Sequence, residues 1–421
     1  MSETLETKSE FAEGWKLILA SFIGMMAGLT ALPFYTYGVF AIPLETEFGW
    51  TRAQTQTALL FQTIGVLVIL PILGWACDRY GVRKIALGSL ALFAIGFAMM
   101  SLNSGNLFQY YATALGFGVA GAGTLPITWT RAINAAFEKN RGLGLGLALM
   151  GTGITGFSSP SIASWGIENY GWRNAYIILA AIPALIGLPV VYLLFKEKVV
   201  SAKDKLAANA NLTGASFEAA LKDYRFWLIA IGFLVISFGI GGSIQNLFPF
   251  FMDAGYAPAQ AASFLGVIGL SVIIGRISTG FFLDRFWGPG VAAALMALPA
   301  ISCFILSSGN PSAFMSYFAT ILIGFAAGAE FDIIAYLASR YFGLKNYSKI
   351  YSLLYAAFAI GAAMAPGIFG FAYDTFGNYE MVFLVSAGLF LLGSVTLLPL
   401  GKYPDFDTSE QADLYPNDGV I

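Results

Sequence analysis

Apolar stretches of about twenty residues recur along this chain from end to end, separated by short polar turns. A run of that length crosses a hydrocarbon core of ~30 Å as an α-helix, and no soluble core is built that way. The pattern predicts twelve spans at residues 15–43, 54–75, 85–102, 108–137, 143–165, 175–195, 226–252, 259–283, 289–306, 311–337, 350–373 and 381–400. Between spans six and seven lies the longest polar stretch, with Lys198, Lys203, Lys205 and Lys222 in it. The expected organisation is an all-α membrane protein: an N-terminal six-helix bundle at 1–195, a cytoplasmic linker at 196–225, a C-terminal six-helix bundle at 226–401 and a cytoplasmic tail at 402–421.

The two halves repeat one another. Gly49-Trp50 with Ala53-Gln54 recurs 206 residues later as Gly255-Tyr256 with Ala259-Gln260. The same offset carries Gly74, Asp78 and Arg79 onto Gly280, Asp284 and Arg285, Pro160 onto Pro366, and Glu168 with Gly171 onto Asp374 with Gly377. Duplicated halves are how many secondary transporters place a site near the midplane between two bundles that rock against each other.

Composition narrows the chemistry. The chain is 57% hydrophobic and 11% charged, against about 25% charged in soluble proteins. It has no histidine and two cysteines, Cys77 at a helix end and Cys303 inside an apolar segment, so no disulfide framework or Cys/His metal site can be assembled. No G-x-x-x-x-G-K-[ST] loop and no nucleophile elbow is present, which speaks against an ATP-driven pump and a membrane enzyme. The duplication speaks against a channel. No cofactor, metal or nucleic acid is expected, and the working unit is expected to be a monomer in the lipid bilayer.

Charge sets the orientation. With the N-terminus inside, the cytoplasmic face receives Lys8, Lys16, Arg79, Arg83, Lys84, Lys139, Arg141, the linker cations, Arg285, Arg340, Lys345, Lys349 and Lys402, while the outer face receives Arg52 and Arg173. Both termini are therefore expected in the cytoplasm, at the bacterial inner membrane. Residues 1–14 are polar and acidic and the first apolar segment is too long for a cleaved h-region, so it reads as a retained span.

Between spans two and three stands Gly74-Trp75-Ala76-Cys77-Asp78-Arg79-Tyr80-Gly81-Val82-Arg83-Lys84. It closely resembles the G-x-x-x-D-R-x-G-R-[KR] loop of the major facilitator superfamily, and the second half repeats it as Gly280 to Asp284-Arg285. Glycines let helix ends approach, and a carboxylate at the membrane edge can pair with cations or a helix N-terminus, so Gly74, Asp78, Arg79, Gly81, Arg83, Lys84, Asp284 and Arg285 are candidates for a gating latch. The plainer alternative is a basic loop that only fixes topology. Tyr37-Gly38-Val39-Phe40, Glu47-Phe48-Gly49-Trp50-Thr51-Arg52, Arg141-Gly142-Leu143-Gly144 and Gly171-Trp172-Arg173 resemble the monocarboxylate transporter and oxalate/formate exchanger branch.

The candidate site follows from charges in apolar helices, which are costly unless they face a cavity, pair, or bind something. Arg276 in span eight lies about 12 Å inside Asp284 at 1.5 Å per residue. In the branch it resembles, the matching arginine holds the substrate carboxylate, a role its fork suits; a structural ion pair is the alternative. The branch's aspartate one turn earlier is Val272 here, and the first span lacks the lysine of animal members. In span ten, Glu330 and Asp332 are the deepest acids and point in nearly opposite directions. Burial favours the protonated carboxyl and a neighbouring cation opposes it, so either is a candidate proton carrier; static pairs of Glu330 with Arg276 or of Asp332 with Arg340 are the alternative. Arg131 is a second intramembrane cation or a snorkelling gate residue. Thr30, Tyr35, Thr124, Gln245, Asn246, Tyr351 and Tyr355 are further substrate-binding candidates. Span five, with Gly151, Gly156 and Pro160, lacks the final pattern of the antiporter motif.

These observations describe a secondary carrier that takes up a small organic anion, a monocarboxylate by resemblance, through alternating access with a proton. An organic-anion exchanger or exporter would carry the same motifs.

Overall fold

The computed structural model describes residues 10–137, 141–196, 213–404 and 406, apart from the side chains of Ala12, Glu13, Asp78, Asn134, Ala135 and Arg141. The expected linker and tail fall partly outside these residues. Among those described, nine helical stretches are long and apolar enough to cross a membrane. One of them, Gly142–Leu194, has 53 residues and bends at Gly171, where φ is 78° and ψ 160°, so it supplies spans five and six. The two remaining spans are broken helices: span one is Glu10–Met26 followed by Leu32–Phe48, and span four is Leu107–Gly121 followed by Pro126–Ala136. The total of twelve spans agrees with the hydrophobic pattern.

A proline stands at each break, and at the second it accounts for the break. A proline inside a helix removes a donor and clashes with the carbonyl four residues back, and the residue before it is pushed to extended geometry. Pro33 follows the first break, and Pro126 follows the second, where Leu125 is extended at φ −63° and ψ 155°. Backbone groups freed within a membrane need partners. Thr124 provides them: its Oγ1 accepts from the Leu29 N–H at 2.9 Å and donates to the Gly121 carbonyl at 2.7 Å, while its own carbonyl accepts from Trp129 Nε1 at 2.9 Å.

The repeat is visible in the backbone. Gly49 (φ 68°) and Gly255 (φ 86°), and Gly171 (φ 78°) and Gly377 (φ 71°), stand 206 residues apart with the left-handed geometry that glycine adopts without steric cost. Many large side chains, among them Leu185, Phe304 and Phe314, are exposed, as a lipid-facing exterior requires.

The chain forms two compact units, Met1–Phe40 with Phe61–Val200, and Ala41–Leu60 with Ser201–Ile421. In the first, Trp129, Phe137, Phe195 and Leu90 anchor a buried cluster between spans one, three, four and six. In the second, the described helices are span seven, Tyr224–Asp253; span eight, Pro258–Leu283; span nine, Gly288–Leu306; span ten, Ala313–Phe342; span eleven, Tyr347–Phe376; and span twelve, which begins at Glu380. The hairpin Ala41–Leu60, formed by the adjoining ends of spans one and two, packs with this second unit through the short helix Arg52–Gln56 against span eleven.

Candidate substrate and coupling site

Helices in lipid gain little from apolar burial against one another, so close packing depends on small residues. Spans eight and ten meet in this way. A Cβ at Gly275 would collide with the Phe325 carbonyl oxygen, one at Gly328 with that of Val272, and one at Gly324 would stand 2.6 Å from that of Ile268. The seam explains Val272: its backbone lies against span ten and its side chain is buried. Gly328→Ala is expected to destabilise the second unit by about 1–3 kcal/mol, as overpacking does. Denaturation of the purified variant, with reduced melting temperature, is the check.

Arg276 follows Gly275 directly, and Glu330 stands two residues after Gly328, so the seam brings the charges together. Arg276 Nε lies 3.6 Å from Asp332 Oδ2, with side chains 11% and 31% exposed. That separation is too long for a hydrogen bond. Nε and Nη1 of Arg276 are buried and have no hydrogen-bond partner among the described residues. Glu330 is 4% exposed, within electrostatic range of Arg276, and its Oε2 likewise has no hydrogen-bond partner among them. The two carboxylates thus occupy different environments, as the rotation between them requires. Arg340 does not take the Asp332 carboxylate; it lies over the Tyr403 ring, 4.6 Å from its centroid.

Span eleven borders this cluster with a row of rings at helical spacing. Tyr347, Tyr351 and Tyr355 stack successively at 5.5 and 6.3 Å, and Tyr355 continues onto Phe331 of span ten at 6.0 Å. Tyr351 lies in electrostatic range of Arg276 and Asp332, and Tyr355 of Glu330. Gln245 and Asn246 are elsewhere in the unit. Asn246 is fully buried, donating to the Gly242 carbonyl at 2.9 Å and accepting from the Tyr379 hydroxyl at 3.2 Å, while the Gln245 carbonyl accepts from Gln56 Nε2 at 3.1 Å.

A dense polar cluster among the described residues has no counterpart in the sequence reading. Arg52 is 4% exposed, yet its Nε and Nη2 reach both oxygens of Glu45 at 2.9 and 3.0 Å, and its Nη1 reaches Asp253 Oδ2 at 2.7 Å and the Tyr379 hydroxyl at 2.9 Å. Its guanidinium also lies over the Tyr373 ring, 4.2 Å from the centroid. The backbone N–H groups of Arg52 and Ala53 donate to the two oxygens of Asp374 at 3.0 and 2.9 Å, which places a carboxylate at the N-terminus of the Arg52–Gln56 helix. A lone cation next to Gly49-Trp50 was the available signal, but its partners are up to 327 residues distant.

The family model described as Major Facilitator Superfamily matches residues 17–346 and 290–413. The chain belongs to the major facilitator superfamily. Curated relatives include monocarboxylate transporter 13 of Bos taurus, 25% identical with 95% of this chain and 93% of that protein covered, and the cis,cis-muconate transport protein of Acinetobacter baylyi, 23% identical with 91% and 94% covered. Among solved structures, a bacterial homologue of the human lysosomal transporter Spinster, in an inward-facing and unoccupied conformation, superimposes with a TM-score of 0.68 at 18% identity, covering 95% of this chain and 100% of that one. The chain is thus a multi-pass transporter of this superfamily and not an enzyme, and its curated relatives support the monocarboxylate branch.

Within this major facilitator chain the loop motif is laid out as follows. Gly81 has φ 89° and starts the Val82–Met100 helix, a conformation that favours glycine. Arg79 lies over the Trp75 ring at 5.3 Å, and Arg83 Nη2 donates to the Tyr192 carbonyl. Lys84, Asp284 and Arg285 are exposed, with Arg285 over the Phe281 ring at 3.7 Å. The side chain of Asp78 lies outside those described. A Cβ at Gly74 or Gly280 would meet nothing within 4 Å, so the close approach expected at these glycines is not made among the described residues. In the first unit, Thr124 is fully buried at the break in span four, Thr30 Oγ1 is buried beside the break in span one, Tyr35 is buried in the second part of span one, and Arg131 is half-buried in the second part of span four.

Proposed function

We propose that this facilitator is a secondary carrier for a small organic anion, a monocarboxylate, working by alternating access with a proton. Arg276 binds the carboxylate and Glu330 carries the proton, with Tyr351 and Tyr355 lining the approach. The observation that carries this reading is the Arg276 guanidinium: it is buried, faces Asp332 at 3.6 Å, and retains Nε and Nη1 without a hydrogen-bond partner among the described residues. A buried guanidinium with unused donors offers a carboxylate charge-assisted hydrogen bonds. The names of the monocarboxylate and muconate relatives support an organic anion as cargo. The working unit is proposed to be a monomer in the bacterial inner membrane; both termini are proposed to be cytoplasmic, which the lysine and arginine asymmetry supports. The two six-helix bundles at 1–195 and 226–401, the linker at 196–225 and the tail at 402–421 are proposed as its domains. Counterflow in proteoliposomes preloaded with individual carboxylic acids tests the assignment. Uptake of labelled acid driven by unlabelled acid inside is expected; absence of counterflow for every carboxylate, with counterflow for a neutral or cationic solute, would refute it.

A further inference from the structure

We infer that Arg52 is the pin of a latch that closes the membrane face opposite the chain's termini, and that Tyr379 ties this latch to Asn246 in span seven. Glu45 and Arg52 both belong to the Ala41–Leu60 hairpin, whereas Asp253 ends span seven and Tyr373, Asp374 and Tyr379 stand at the junction of spans eleven and twelve. One guanidinium therefore fastens the hairpin to three spans of the second half. The boundaries of the compact units fall inside the helices that contain Phe40 and Leu60, so the hairpin is continuous with helices of the first unit although it packs with the second.

The packing beneath the latch has the same character. A Cβ at Gly370 would stand 2.6 Å from the Ala53 nitrogen, and one at Gly367 2.8 Å from Thr57 Oγ1, so the hairpin rests on bare backbone of span eleven. Its central cation is buried and its acids are half-buried, with Arg52 at 4%, Glu45 at 17% and Asp253 at 32% exposure. Buried charges are tolerated while paired and become costly when one partner leaves, so such a cluster has an assembled and a separated state with little between them. On separation Glu45 travels with Arg52, while Asp253, Asp374 and Tyr379 stay behind. Asn246 then loses its place in the chain Arg52 Nη1, Tyr379 hydroxyl, Asn246 Oδ1, and Gln245 loses the Gln56 amide. The inference rests on the alternating-access reading but needs no substrate, and its test separates the two.

The test uses the full-length chain in nanodiscs, with Cys77 and Cys303 replaced by serine and Gln56→Cys as reporter, since Gln56 is 2% exposed and faces span seven. Maleimide labelling is expected to be slow with the latch intact. It should accelerate at least about tenfold in Arg52→Gln and in Gly370→Val, which wedges the hairpin off with every charge in place, and less in Tyr379→Phe. Labelling within about twofold of the parent in both Gly370→Val and Arg52→Lys would overturn the inference even if Arg52→Gln fails to fold. Accelerated labelling in a chain that moves no carboxylate would uphold the latch and refute the cargo reading instead.

Discussion

Replacing Arg276 by lysine is expected to lower carboxylate transport at least about tenfold while the chain still folds and inserts. The charge is kept, and Asp332 at 3.6 Å retains a cation to face. What disappears is the planar guanidinium, whose Nε and Nη1 are left without a hydrogen bond among the described residues and whose Nη1 forms a parallel donor pair with Nη2. A lysine ammonium offers a point charge and cannot present two parallel N–H groups to one carboxylate. The loss should fall mainly on apparent affinity, because the bidentate contact forms on binding. Uptake against substrate concentration in matched proteoliposomes is the measurement, and wild-type affinity and rate in Arg276→Lys would remove the arginine from the site.

Neutralising Glu330 is expected to abolish accumulation against a concentration gradient but to leave exchange of internal for external substrate. Exchange need not return an empty, deprotonated carrier, so it survives when the proton step is lost. Glu330→Gln should be tolerated by the fold, because the buried Oε2 of Glu330 has no hydrogen-bond partner to orphan among the described residues. Asp332→Asn removes the carboxylate that faces Arg276. That variant should keep gradient-driven accumulation while changing affinity, since the guanidinium is left with one competitor fewer. Both variants, reconstituted with an imposed pH gradient, separate the roles. Accumulation by both in response to the gradient would mean that the proton is carried elsewhere.

The twelve spans and the duplication were legible in the sequence because twenty-residue apolar runs and a fixed offset are one-dimensional signals, and the matched glycines at 49 and 255 and at 171 and 377 repeat in the backbone. The broken helices were not, although Pro33 and Pro126 mark both. Hydropathy runs straight through a break whose backbone is satisfied by a distant hydroxyl such as that of Thr124. Arg276, Glu330 and Asp332 stood out because a charge in an apolar helix is conspicuous. The static pairs open to the sequence are Glu330 with Arg276 and Asp332 with Arg340, whereas in the structure Asp332 stands 3.6 Å from Arg276, and Glu330 is within electrostatic range of the same arginine. In the sequence Arg52 is one of two outer cations, since nothing along the chain ties it to Asp253 or Tyr379. Asn246 is a substrate-binding candidate by sequence, and the structure shows its amide engaged by Tyr379 and Gly242.

The claim that Arg276 receives a carboxylate is tested most directly by ligand-induced stabilisation of the purified chain, comparing each carboxylic acid with its own amide. The pair has nearly the same shape and differs in the charge that the guanidinium would read. The account predicts that at least one acid raises the unfolding temperature, that its amide does not, and that the shift is lost in Arg276→Lys. An amide that stabilises as well as its acid, or a shift that persists unchanged in Arg276→Lys, would contradict it.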